Sequence, residues 1–236
     1  MTSTLDVRRA ADRFVTNIGW LDSKHSFSFG PHRDANNVGH GLLLVNNDDI
    51  VGPGSGFDTH PHRDMEIITW VLDGELEHKD SEGNRGLLYP GLAQRMSAGT
   101  GIWHSEINSR ADKDVHFVQM WVYPDTERID PGYEQLDINA ELAKGGLVPI
   151  ASGRGHDAAI SIQQAGAVLW GARLQPNEQV CVPDDHFVHL FVAKGSVELS
   201  GAGSLGSGDA VRLTSAGSPT LTAAAAGAEV LIWAMR

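Results

Sequence analysis

Short strand-like runs recur along this chain about every 8 to 12 residues, each closed by a glycine or a polar turn. They read HGLLLVN, EIITWVL, HFVQMWVY, AAISIQQ, AVLWGARL, HFVHLFVA, DAVRLT and EVLIWAM. β-branched and aromatic side chains suit a pleated, half-buried surface, and a chain that turns this often has no room for long helices. The pattern restricts the molecule to an all-β fold of sandwich or barrel type. Helical periodicity is expected at only two places, NAELAKGG (139–146) and TLDVRRAADRF (4–14).

The runs also repeat. WVLDGELE turns at Gly74 between two strands, and FVAKGSVE does the same at Gly195. Further along each half, PGLAQRM (90–96) is echoed by SGDAVRL (207–213). Two copies of one β unit are expected, the first over residues 1–123 and the second over 139–236. The stretch between them, 124–138, carries two prolines, several charges and a D-P-G turn, which suits a linker.

Composition narrows the class. A net charge of −12 argues against a nucleic-acid or anionic-membrane binder, because contact with phosphate needs a basic face. No run approaches the roughly 20 apolar residues that span a bilayer. The opening MTSTLDVRRAADRF lacks the apolar segment of a secretory signal. Cys181 is the only cysteine, so no internal disulfide forms and a cytoplasmic, reducing location is expected. Its thiol is expected to be buried and quiet.

Chemistry concentrates in the first half. FDTHPHRDMEIITWVLDG (57–74) places His60 and His62 one residue apart just before a strand, and GTGIWHSEIN (99–108) places His104 and Glu106 in the same way. On a strand, residues i and i+2 face one side with Cα atoms about 6.6–7 Å apart, which suits two side chains converging on one ion. A lone H-x-H pair is usually surface polarity; a second pair in a second strand reverses that. His60, His62, His104 and Glu106 are therefore expected as metal ligands, and Pro61 should face away. Glu66 is expected to hydrogen-bond a ligand imidazole rather than bind the ion. Phe57, Met96 and Trp103 flank the motifs and are candidates for an apolar pocket wall. The other histidines lack such partners and read as ordinary polar positions.

Other site types are excluded. There is no H-E-x-x-H and no pair of C-x-x-C motifs. GAGSLG (201–206) leads into another strand, whereas a dinucleotide fingerprint needs a helix there.

Taken together, HSFSFGPHRD (25–34), HPHRDMEIITWVLDG (60–74) and GTGIWHSE (99–106) resemble the pirin family, a branch of the cupins, over nearly the whole chain. The resemblance implies a bicupin, two jelly-roll β-barrels face to face with few short helices, and one metal in the first. It implies the same four ligands, with iron the usual metal, and it implies that the Glu66 position is not a ligand. Bacterial pirins are associated with quercetin 2,3-dioxygenase activity and eukaryotic ones with iron-dependent modulation of transcription factors. The chain departs from the wider pattern at Asp73 and Gly99, and at Asp64, where relatives carry a small residue; Asp64 is an extra carboxylate expected near the site.

Three imidazoles and a carboxylate suit Fe(II), and also Ni, Cu, Mn, Co or Zn; affinity alone favours copper and nickel. In an octahedral shell, four protein ligands leave two positions for a chelating flavonol-like substrate and O2, and Glu106 is a candidate base for the substrate hydroxyl. Two rival readings are an oxygenase for a different enol and a non-enzymatic redox sensor that binds a protein partner. The repeat predicts a metal-free second half, because Cys181, Pro183, Leu221 and Ala223 align with the four ligands. A monomer is expected, since the fold does not require a dimer.

Overall fold

The computed structural model describes residues 3–236. The first half comprises β1 (Thr4–Arg8), β2 (Phe14–Asn17), β3 (Leu21–His25), β4 (Leu43–Val51), β5 (Gly56–His62), β6 (Glu66–Asp73), β7 (Leu76–Asp80), β8 (Arg85–Leu88), β9 (Leu92–Ser97), β10 (Ile102–Ile107), β11 (Val115–Val122) and β12 (Gly132–Asp137). A single helical turn, α1 (Asn139–Leu142), follows. The second half continues with β13 (Val148–Ser152), β14 (Ile160–Ser161), β15 (Ala167–Leu174), β16 (Gln179–Cys181), β17 (Phe187–Leu199), β18 (Gly203–Gly206), β19 (Ala210–Thr214) and β20 (Thr220–Met235). The all-β expectation and the turn of helix at 139 are met. The other expected helix is not formed: Thr4–Arg8 is a strand, followed by a short 3-10 turn at Ala10–Asp12. Here pairing of β1 with the free edge of β19 overrides a weak helical period.

Among the described residues three sheets result. One runs β12-β9-β6-β11-β4-β3-β2, a second runs β5-β10-β7-β8, and a third, from the second half, runs β1-β19-β17-β20-β15-β13-β14 with β16 on β20 and β18 on β17. The punctuation of the chain did not predict two exchanges. β1 serves the sheet of the second half, and β12, inside the expected linker, completes the sheet of the first by pairing with β9.

The first two sheets enclose Leu21, Val51, Val71, Leu76, Leu88 and Phe117 between them. The largest core lies elsewhere, where the seven-stranded sheet meets the sheet of the second half, with Trp70, Met120, Phe191 and Trp233 buried together. Both indoles find partners there: Trp70 Nε1–H donates to Glu229 Oε1 at 2.8 Å and Trp233 Nε1–H to Met120 Sδ at 3.3 Å. Two β halves thus sit face to face, as expected, with a separate apolar core inside the second.

The internal repeat has a steric signature. Gly74 (φ 79°) and Gly195 (φ 74°) both take the left-handed conformation, and an added Cβ would lie 2.5 Å from the Asp114 carbonyl oxygen and 2.2 Å from that of Gly227. Gly74 carries the chain from β6 in one sheet to β7 in another, whereas Gly195, expected as a turn between two strands, lies at a bulge inside the continuous β17; each passes directly over neighbouring backbone, so only glycine fits.

Candidate metal centre

The site is built on three adjacent strands, β5, β10 and β7. Antiparallel register sets His104 opposite His60 on one side and opposite Asp80 on the other, and Glu106 opposite His78. Along β10 the alternation sends His104 and Glu106 inward, where they are buried, and Trp103 outward. A bulge in β5 adds one residue: His60 pairs with His104, but Glu106 pairs with Phe57, so Asp58 and Thr59 stand against Ser105 alone.

The ring centroids of His60, His62 and His104 lie 4.4–5.0 Å apart. One nitrogen from each ring lies within 4.8 Å of the others. His60 Nδ1–H donates to the Asp58 carbonyl at 2.7 Å, which leaves the Nε2 lone pair free. Burial, then the neighbouring His104 and His60, lowers the His62 pKa to about 4. Burial, then His60 and His78, lowers that of His104 to about 3. Both imidazoles are neutral at physiological pH, the form that ligates metals. His104 Nε2 is buried without any hydrogen-bond partner, a costly vacancy unless something else uses its lone pair. Three clustered imidazoles beside a carboxylate fit a single divalent transition metal.

Glu106 groups with His104 and His78 rather than with His60 and His62. Its Oε1 accepts from the Thr69 hydroxyl at 3.2 Å and its Oε2 from Gln119 Nε2 at 2.7 Å. Its carboxylate lies within 4.8 Å of ring nitrogens of His104 and His78, so His104 belongs to two overlapping triplets. His78, read from sequence as an ordinary polar position, is fully buried beside the site. Its Nε2 stands 3.2 Å from Asp80 Oδ2 and its Nδ1 3.5 Å from His104 Nδ1. H-x-D in EHKDSEG repeats the i, i+2 spacing of the two motifs already singled out, and that was the available signal.

A cavity of about 470 Å³ opens beside His60, His62 and Glu106, walled by Trp20, Phe29, Phe57 and Trp121. Phe57 lines it. Met96 does not: it is packed with Ile67, Ala98 and Ile102 in a separate core. Trp103 is also outside, 54% exposed, because alternation cannot turn both it and His104 inward. Glu66 touches no imidazole; its Oε2 accepts the Gln163 N–H at 3.0 Å and so ties the two halves together. Asp64 also turns away from the cavity, accepting the Arg128 N–H at 2.6 Å. Its φ of 48° explains why a small residue suits this position.

The cavity contains polar groups that the sequence reading missed. Asp49, 3% exposed, lines it and accepts a short hydrogen bond from the Ser23 hydroxyl. Burial pushes its pKa up to about 7. His25, beside it, pairs with Asn47 at 2.9 Å. The only signal was NNDD in β4, where buried acids and amides interrupt an apolar run.

In the second half the aligned positions offer no comparable set. Leu221 and Ala223 are buried apolar residues. Cys181 is exposed rather than buried as expected, because β16 is a three-residue strand with alternate positions facing outward.

Both halves of the chain are similar to known proteins. The family model described as Pirin matches residues 6–122, and that described as Quercetinase C-terminal cupin domain matches 149–235. The chain is 59% identical to a Mycobacterium tuberculosis protein provisionally named a quercetin 2,3-dioxygenase, over all of this chain and 96% of that one. It is 40% identical to the Escherichia coli quercetin 2,3-dioxygenase over 83% of this chain and 84% of that one. The structure of the bacterial pirin YhhW from Escherichia coli in complex with nickel(II) superimposes with a TM-score of 0.90 at 35% identity, covering 98% of this chain and 99% of that one.

Proposed function

The chain belongs to the pirin family, and from that membership we propose that it is an oxygenase that holds one divalent transition metal, Fe(II) by preference, at His60, His62, His104 and Glu106 and cleaves a flavonol such as quercetin with O2. The observation that carries this reading is the grouping of three imidazoles, one with an orphaned buried nitrogen, beside an aromatic-walled cavity. At about 470 Å³ the cavity lies within the roughly 300–1,000 Å³ typical of small-molecule sites.

An ion held by His60, His62, His104 and Glu106 would supply Lewis acidity toward an enol hydroxyl. The remaining work falls to the chain. Trp20, Phe29, Phe57 and Trp121 sandwich a flat aromatic substrate and exclude water. Glu106, held in place by Thr69 and Gln119, receives the proton from the substrate hydroxyl at a carboxylate oxygen. Asp49, whose pKa lies near 7, exchanges a proton within the same cavity at neutral pH.

The test is metal content by mass spectrometry on the wild-type protein and on His60→Ala and Glu106→Ala, followed by anaerobic addition of quercetin and then O2. One ion per chain, lost in both variants along with flavonol cleavage, supports the reading. Full occupancy without cleavage would move the proposal to another enol substrate. Unchanged metal content in both variants would refute the ligand set.

A further inference from the structure

His104 can offer a lone pair to an ion from only one ring nitrogen, and which one depends on where its proton sits. The unpartnered buried nitrogen is Nε2, and the other, Nδ1, faces His78 at 3.5 Å. His78 in turn faces Asp80 from Nε2 at 3.2 Å, and both side chains are fully buried. We propose that Asp80, acting through His78, fixes the proton of His104 on Nδ1 and so turns the bare Nε2 lone pair toward the His60–His62 pair.

The direction follows from the donor inventory. A carboxylate only accepts, so His78 donates to Asp80 from Nε2–H, and in the neutral form of the ring its Nδ1 carries a lone pair. That lone pair requires a donor, and the facing atom is His104 Nδ1; His104 Nδ1–H then leaves Nε2 unprotonated. Asp80 is rigid enough to set this order. Its Oδ1 accepts the backbone N–H of Glu82 at 3.0 Å and of Asn84 at 2.9 Å, and the Asn84 side chain donates to Oδ2 at 3.0 Å. The Tyr133 ring, 4.9 Å from that of His78, packs on its face. His78 and Asp80 are positioning residues here: they act on the ion through His104. The inference rests on His104 being a ligand, as proposed above, and deepens that reading.

Two substitutions separate this role from a structural one. In Asp80→Asn, the two backbone N–H groups keep the amide oxygen on their side, so Nδ2 must face His78 and donate to it. The chain of protons then reverses: His78 carries its proton on Nδ1, and His104 is driven to the Nε2–H form, which blocks its lone pair. Asp80→Ala removes the bias and also both turn contacts, yet leaves His104 free to adopt either form. A structural role predicts that alanine is the more damaging change; proton placement predicts asparagine.

The experiment has two parts. Nitrogen-15 NMR of histidine rings in the metal-free protein reads the tautomers directly, and Ni(II) affinity is measured by competition with a chelating dye. Expected are a bare Nε2 on His104 in the wild type, a protonated Nε2 in Asp80→Asn, and Ni(II) binding weakened about 10–100-fold in Asp80→Asn, more than in Asp80→Ala. An unchanged His104 tautomer in Asp80→Asn, or alanine weakening Ni(II) binding more than asparagine, overturns the inference. His78→Ala supplies a further check: complete loss of Ni(II) stoichiometry would make His78 a ligand and also overturn it. Because the tautomers are read without metal, the relay can fail while the ligand set stands, or hold while the wild type binds no Ni(II).

Discussion

Gln119 donates from Nε2 to Glu106 Oε2 across 2.7 Å, while its own Oε1 accepts the indole N–H of Trp121 at 3.0 Å. The indole can only donate, so it fixes which end of the amide faces the carboxylate. Gln119 thus aims Glu106 and connects it to an aromatic wall of the cavity. Gln119→Met keeps the bulk and removes the donor. We expect metal affinity to fall about 10–100-fold with the fold intact, measured by chelator competition alongside far-UV circular dichroism.

Binding of an ion to the folded form alone raises stability by mass action. At a free concentration 100 times Kd the gain is about 2.7 kcal/mol, which for a chain of this size corresponds to roughly 5–10 °C in Tm. Calorimetry with added Ni(II) should show this rise in the wild type and none in His62→Ala. An equal rise in both would remove His62 from the ligand set.

Asp49 has a folded-state pKa near 7 against an ordinary value of 3.8, caused first by burial and then modulated by Ser23, Asp48, Glu106 and Arg13. With the folded value raised, the unfolded chain releases this proton first. Stability from this group is full below about pH 4 and is lost as pH rises through about 7. In Asp49→Asn the amide keeps an acceptor for Ser23 and cannot ionise. Urea titrations of metal-free protein from pH 4 to 8 should show that the variant loses less stability across this window, by up to a few kcal/mol. Parallel curves would show that Asp49 titrates normally.

Glu229 joins the halves. It accepts the Trp70 indole N–H at 2.8 Å and stands 3.3 Å from Arg173 Nε, and it is 7% exposed. Glu229→Ala leaves a buried indole donor without its acceptor, at a cost of about 1–3 kcal/mol. Chemical denaturation should show that loss, and Trp70→Phe in the same background should recover part of it, because the orphaned donor is then gone.

Much of the site was legible because its signals are local. Alternation along a strand is a property of the backbone, so H-P-H and H-S-E each announce a face whatever the partner strand. The same rule, followed through, places Trp103 outside once His104 is inside; listing it as a pocket candidate went against its own strand. Met96 was ambiguous for a different reason: an apolar residue beside a motif packs equally well into a core or a cavity wall, and only the neighbouring sheet distinguishes them.

By itself, the sequence determined an all-β chain and pointed to candidate ligands in its first half, because strand periodicity, glycine turns and short ligand spacings are written over a few residues. Only the tertiary structure decided which strands lie side by side. That register brought Asp80 and His78 to His104, set Thr69 and Gln119 on Glu106, sent Glu66 to Gln163 in the other half and gave β1 to the far sheet. These contacts join residues up to about 200 positions apart in the chain, and pairing across such distances is chosen by burial and edge complementarity of whole sheets, which no local pattern records.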